Sequence, residues 1–200
     1  MGAEIKCKAR FGGQASEGRA LLETSEIIFR GDFRLKIPFK EIRKISASKS
    51  ELRIQFSKGE VVFVLGAAAE KWMEKILHPK TVIEKIGVRE GAKAVVLGLE
   101  DENFLKQLRQ RATYSDSLGR ECELIFFGTE SAGDLKRVPS LAKALAPAGA
   151  LWIIYPKGVA MIREIDVLGA GRKAGLKDIK VVGFSATHTA LKFVIPVSER

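Results

Sequence analysis

The sequence predicts two domains: an all-β barrel closed by one helix, then an α/β domain built on a mostly parallel sheet. Three observations predict this. Residues 1 to 79 hold short segments in which apolar and charged residues alternate, the period of a strand with one face in water. From Ala67 the period changes to that of an amphipathic helix. Beyond residue 80 the apolar runs AKAVVLG, ELIFF and ALWIIY no longer alternate, which is the pattern of strands covered on both faces. The boundary is placed so that residues 1–79 form the first domain and 80–200 the second.

In the first domain Ile5, Cys7, Ala9 and Phe11 face a core, while Lys6, Lys8 and Arg10 face water. RALLE (19–23), EIIFR (26–30), FRLKIP (33–38), EIRKISAS (41–48), ELRIQF (51–56) and VVFVL (61–65) complete about seven strands in meander spacing. In AAAEKWMEKIL (67–77), Ala69, Trp72, Met73 and Ile76 share one helical face, and Pro79 ends the helix.

In the second domain KTVIEKI reads as a short helix from about Thr81, stopped by Gly87. The strand AKAVVLG is followed by a helix over 101–111 and a very short strand near 112–114. ELIFF is the next strand, then a helix over 135–145 that Pro139 interrupts or restarts. LAPAGALWIIYPKG supplies the central strand over 150–155. A helix over 163–174 and strands over 180–185 and 191–197 finish the chain.

The net charge of +10 is spread evenly, with 15 basic and 10 acidic residues in 1–79 and 19 and 14 in 80–200. Such a balance favours weak, salt-sensitive attraction to nucleic acid, anionic lipid or acidic protein without being a recognition signal. With no basic tail or nucleic-acid motif, nucleic acid is an unfavoured partner, a small anionic ligand remaining open. Cys7 and Cys122 stand in strand-like segments of different halves, the pattern of buried thiols in a reducing compartment. With no signal-peptide core or membrane span, the chain reads as cytoplasmic.

The seven strands and closing helix resemble the pleckstrin-homology-like superfold and its GRAM-like modules, through Leu21-Leu22, Ile27 to Phe29, IPFKEI (37–42) and AEKWMEKI (69–76). Residues 80–197 resemble a small bacterial family of unknown function with a shortened, Rossmann-like class I S-adenosylmethionine-dependent methyltransferase fold. The matching phrases are GVREGAKAVVLG, PAGALWIIYPK and AGLKDIKVVGF followed by ALKF. The resemblance implies a fold of that kind. The turn after the first strand, VLGLEDEN, departs from it: only Gly98 matches the glycine-rich pattern, and Glu100, Asp101 and Glu102 would repel a phosphate. Between Gly98 and Glu123 there is room for one helix and at most a very short strand, and Asp116 reads as a loop residue. No cofactor is therefore expected, S-adenosylmethionine being the disfavoured alternative, and no metal.

Ligands of parallel sheets collect outside the carboxyl ends of the strands. That edge is expected to carry the ligand-binding candidates Gly98, Thr129, Glu130 and Lys157 and, if the final strand runs antiparallel, His188 and Lys192 too, with Lys157, His188 and Lys192 then converging on an anion and Glu130 and His188 exchanging protons. No catalytic residue is assigned. The function expected is that of a non-catalytic binding protein with a protein partner or self-association. A methyltransferase or related small-molecule enzyme is the alternative, and a weak nucleic-acid or anion binder a second one.

Overall fold

The computed structural model describes residues 3–200. Its contacts divide into two compact units that meet between Lys80 and Thr81.

The first unit is a seven-stranded antiparallel sheet followed by a helix. Strands β1 (Ala3–Phe11), β2 (Gln14–Leu22), β3 (Glu26–Arg30), β4 (Arg34–Pro38), β5 (Lys44–Ser48), β6 (Glu51–Phe56) and β7 (Gly59–Val64) stand in the order β4-β3-β2-β1-β7-β6-β5. The inward residues Ile27, Phe29, Ile37, Leu52, Ile54 and Phe63 are fully buried, and helix α1 (Ala68–Leu77) lays Ala69, Trp72 and Ile76 onto the same core. The expected closed barrel is corrected. β4 and β5 are the two ends of the ladder and do not pair with each other, so the sheet is an open, antiparallel half-barrel.

The second unit begins with α2 (Val82–Ile86), where Thr81 and Glu84 form a capping box and Gly87 ends the helix in the left-handed region. Strand β8 (Ala92–Leu97), helix α3 (Glu102–Arg109), strands β9 (Ala112–Ser115) and β10 (Cys122–Gly128), helix α4 (Val138–Lys143), strand β11 (Leu145–Pro156), helix α5 (Glu164–Lys173) and strands β12 (Lys177–Gly183) and β13 (His188–Val194) follow. A 3₁₀ turn at Asp134–Arg137 precedes α4, and Pro139 occupies the helix's first turn.

The sheet order is β12-β13-β11-β10-β8-β9. Here the expectation of a mostly parallel sheet is corrected to a mixed one. β9, β8, β10 and β11 are parallel neighbours, but β13 lies antiparallel between β11 and β12. The short hairpin turn at Phe184–Thr187 between β12 and β13 forces this direction, because a parallel neighbour needs a crossover of a dozen or more residues. Both faces are covered. Phe104 and Leu108 of α3 pack with Ala94, Val96, Phe126 and Trp152, while Val138, Leu141 and Val167 pack with Ile125, Phe127, Ile153 and Leu191 on the other side. Among the described residues no helix is long and apolar enough to cross a membrane.

Candidate functional site

The carboxyl ends of β8, β9, β10 and β11 and the amino end of β13 form one edge of the second unit's sheet. Two glycines bring its first two turns together. Gly98 leaves β8 with φ +62°, and a Cβ built there would stand 2.7 Å from the Gly128 carbonyl oxygen. A Cβ on Gly128 would lie closer still to the Gly98 carbonyl. The residue type at Gly98 is thus set by backbone meeting backbone at the ends of β8 and β10, whatever the turn binds.

Beyond Gly128, Thr129 is buried and its amide donates to the Ile154 carbonyl at 2.9 Å. Its hydroxyl is shared between the Ser131 carbonyl at 3.0 Å and Asp134 Oδ2 at 3.2 Å, so Thr129 shapes the turn. Asp134 Oδ2 also accepts from the Ser131 amide and hydroxyl at 3.1 and 2.9 Å, and these bonds hold its carboxyl below the ordinary carboxylate range. Asp134 is a residue that the sequence reading missed; the spacing Thr129, Ser131, Asp134 of hydroxyls before a carboxylate was its only signal.

With the turn fixed, the exposed Glu130 reaches His188 at the start of β13, Oε1 lying 3.2 Å from Nε2. On the other side of the ring, Nδ1 lies 2.9 Å from Thr187 Oγ1. A neutral imidazole satisfies both contacts when Nε2–H donates to the carboxylate and Nδ1 accepts from the threonine hydroxyl. Ser185 supports the group, its hydroxyl accepting from the His188 amide at 3.1 Å and the Thr187 amide at 3.3 Å. The signal for Ser185 was its place three residues before His188 in a turn, where a serine hydroxyl closes on backbone amides.

Lys157, expected to face an anion, is engaged otherwise. Its ammonium donates to the Ser185 carbonyl at 2.7 Å and its amide to the Thr187 carbonyl at 2.8 Å, so both ends of the residue hold the turn that presents His188. Lys192 is not at this edge. β13 begins at His188 and pairs Lys192 with Trp152, four residues along an extended strand from the histidine, or about 13 Å. The structure therefore brings Gly98, Thr129, Glu130, Lys157 and His188 to one edge and leaves Lys192 on the sheet face.

The same edge is acidic. Glu100 and Asp101 stand in the turn after β8, Asp116 directly follows β9, and Glu130 follows β10, in a chain whose net charge is +10. Asp101 is occupied as the cap of α3, accepting from the Phe104 amide at 2.8 Å. Asp116, read from sequence as a loop residue, lies at the carboxyl end of the strand beside β8, 18 positions after Gly98. This is the place from which an acidic side chain bonds ribose hydroxyls in doubly wound sheets. The strand over 112–115 is present, and the connection from it to β10 carries no helix. Among the described residues no cluster of His, Cys, Asp and Glu has the arrangement of a metal site.

No protein-family model matches this chain, and no curated protein does. Solved structures that it is similar to include an S-adenosylmethionine-dependent methyltransferase from Aquifex aeolicus, at 15% identity over 56% of this chain and 86% of that one, TM-score 0.40. An S-adenosylmethionine-dependent O-methyltransferase from Thermotoga maritima is similar at 10% identity over 95% and 92%, TM-score 0.40. A third is the complex of the Haloferax volcanii Trm112 methyltransferase activator with a putative methyltransferase, at 14% identity over 64% and 94%, TM-score 0.42. Beside these structures two expectations are given up, that of a non-catalytic binding protein and that of a chain for which no cofactor is expected. The likeness concerns the fold, and an activity has to be argued from this chain's own residues.

Proposed function

We propose that the second unit is an S-adenosylmethionine-dependent methyltransferase, or a closely related enzyme of small molecules, that works at the acidic sheet edge. One observation carries the reading: the hydrogen-bonded series Glu130, His188, Thr187 stands at the carboxyl ends of the parallel strands, beside the close approach of the Gly98 and Gly128 turns. Kinship of residues 80–197 with the small bacterial family of shortened methyltransferase-like fold belongs to the same reading.

The donor set fits this cofactor better than a dinucleotide. Glu100 and Glu130 disfavour a pyrophosphate, whereas a sulfonium and an ammonium are favoured by the same carboxylates. Asp116 would hold the ribose hydroxyls, and the backbone of the Gly98 turn would face the adenosyl group. When bound, S-adenosylmethionine supplies an electrophilic methyl group.

The chain's own part is proton management. His188 Nδ1 accepts the proton of an acceptor hydroxyl or amine, directly or through the Thr187 hydroxyl, and Glu130 stabilises the imidazolium that results. Lys157 and Ser185 keep the ring aimed by fixing the 184–188 turn.

Calorimetric titration of the full chain with S-adenosylmethionine and S-adenosylhomocysteine tests the reading. Binding is expected, and Asp116→Asn is expected to weaken it about 10- to 100-fold, the worth of a charged hydrogen bond. Absence of heat for every adenosyl ligand with the wild-type chain would sink the proposal.

A further inference from the structure

Lys192, displaced from the edge, marks a second place of unusual charge. It faces Lys180 directly across the β12–β13 pair, so two ammonium-bearing side chains share one face of neighbouring strands. Like charges so placed destabilise a sheet. The Lys192 ammonium lies 5.8 Å from the centre of the Trp152 ring, over a side chain buried with Ile83 and Ile86 of α2. Burial first, then the charges of Lys180 and Arg89, hold that ammonium below its ordinary range. Arg89 is exposed in the turn between α2 and β8.

Two features bear on how the charges are balanced. Lys180 gives one donor to the Lys85 carbonyl at the end of α2, 2.7 Å away, which leaves two. The ion pairs of this unit, Arg111–Glu84, Arg163–Asp166, Arg172–Asp178 and His188–Glu130, leave Arg89, Lys180 and Lys192 without a carboxylate among the described residues. The Lys180 bond to the Lys85 carbonyl sets it beside the turn that carries Arg89, and Lys192 lies directly opposite Lys180. The half-buried Lys192 and the exposed Lys180 and Arg89 thus gather like charge that a bound anion would offset.

We infer that Arg89, Lys180 and Lys192 form a binding site for a phosphate group, separate from the acidic edge. The ligand is a phosphate rather than a carboxylate, because three positive charges are matched better by a dianion. A guanidinium with its paired donors beside two ammonium groups also suits three phosphate oxygens. The site does not depend on the methyltransferase reading, since it shares no residue with the Glu130–His188 edge.

The test is a titration of the full chain with inorganic phosphate at constant ionic strength, followed by nuclear magnetic resonance of the lysine side chains. Saturable shifts of the Lys180 and Lys192 resonances are expected, with affinity reduced about tenfold or more in Arg89→Gln, an exposed position that carries no packing. Lys192→Gln is the second variant, and Lys143→Gln, at the end of α4 on the other side of the sheet, is expected to bind as wild type. Co-sedimentation with phosphatidylcholine vesicles containing phosphatidic acid separates the sources. Vesicle binding lost in Arg89→Gln assigns the phosphate to a lipid headgroup, and response to free phosphate alone assigns it to a soluble molecule. Shifts that track ionic strength without saturating, or equal binding by Arg89→Gln and wild type, overturn the proposal.

Discussion

Asp134 shows how one carboxylate organises a site that it does not enter. Its Oδ2 gathers the Ser131 amide, the Ser131 hydroxyl and the Thr129 hydroxyl, and the turn so formed presents Glu130 to His188. Because these bonds favour the ionised form, the folded chain holds this carboxyl below its unfolded value. The unfolded chain therefore binds the proton first as pH falls, and stability rises with pH across the interval. The contribution is fully present above the ordinary carboxylate range and is lost as pH falls through the lowered folded value. Asp134→Asn is expected to be less stable than wild type at neutral pH, with the gap closing in acid. Urea denaturation of both proteins at pH 7 and near pH 3 checks this, and a gap independent of pH would exclude the assigned role.

At the scale of the element, β8 and β10 are tied at their carboxyl ends by Gly98 and Gly128, and the two glycines are not equivalent. Gly98→Ala meets a left-handed φ of +62° and a carbonyl at 2.7 Å, and is expected to cost about 1–2 kcal/mol for the backbone alone. Gly128→Ala drives its methyl into the Gly98 carbonyl and the Leu99 backbone, and is expected to cost more than Gly98→Ala. Chemical denaturation of the two variants gives the order directly, and equal stabilities would show that the two turns do not meet as described. Loss of cofactor binding in a Gly98 variant would therefore report on folding, which makes Asp116 the cleaner probe.

The same elements show how far the sequence could be read. Unbroken apolar runs located β8, β10 and β11, and alternation located the seven strands of the first unit, because both patterns are consequences of burial along the strand itself. The openness of the first sheet was not legible, and neither was the pairing of β13 with β11, although the short turn at 184–187 does turn β13 antiparallel to β12. Each depends on a pairing partner far along the chain. Glu130 and His188 were found as edge residues, whereas Lys192 was misplaced because the strand begins three residues earlier than its apolar run suggested. Asp116 is the loop residue that was expected, in the bend that follows the very short strand β9.

The whole molecule buries two sets of large side chains, with Trp72, Phe29 and Phe63 in the first unit and Trp152, Phe104 and Phe193 in the second. Among the described residues each core cluster is drawn from one unit, so each unit has the packing of an independent folding unit. Trp72 is 2% exposed on α1, and its removal leaves a cavity within the first core alone. Trp72→Ala is expected to cost the first unit about 3–5 kcal/mol. It should lower one of two calorimetric transitions and leave unchanged both the second transition and the affinity for S-adenosylhomocysteine. If both transitions fall together, the units unfold cooperatively and the second does not stand on its own core. If the second transition holds and the adenosyl affinity falls, the first unit takes part in binding, and the sheet edge around Glu130 and His188 is only part of the site.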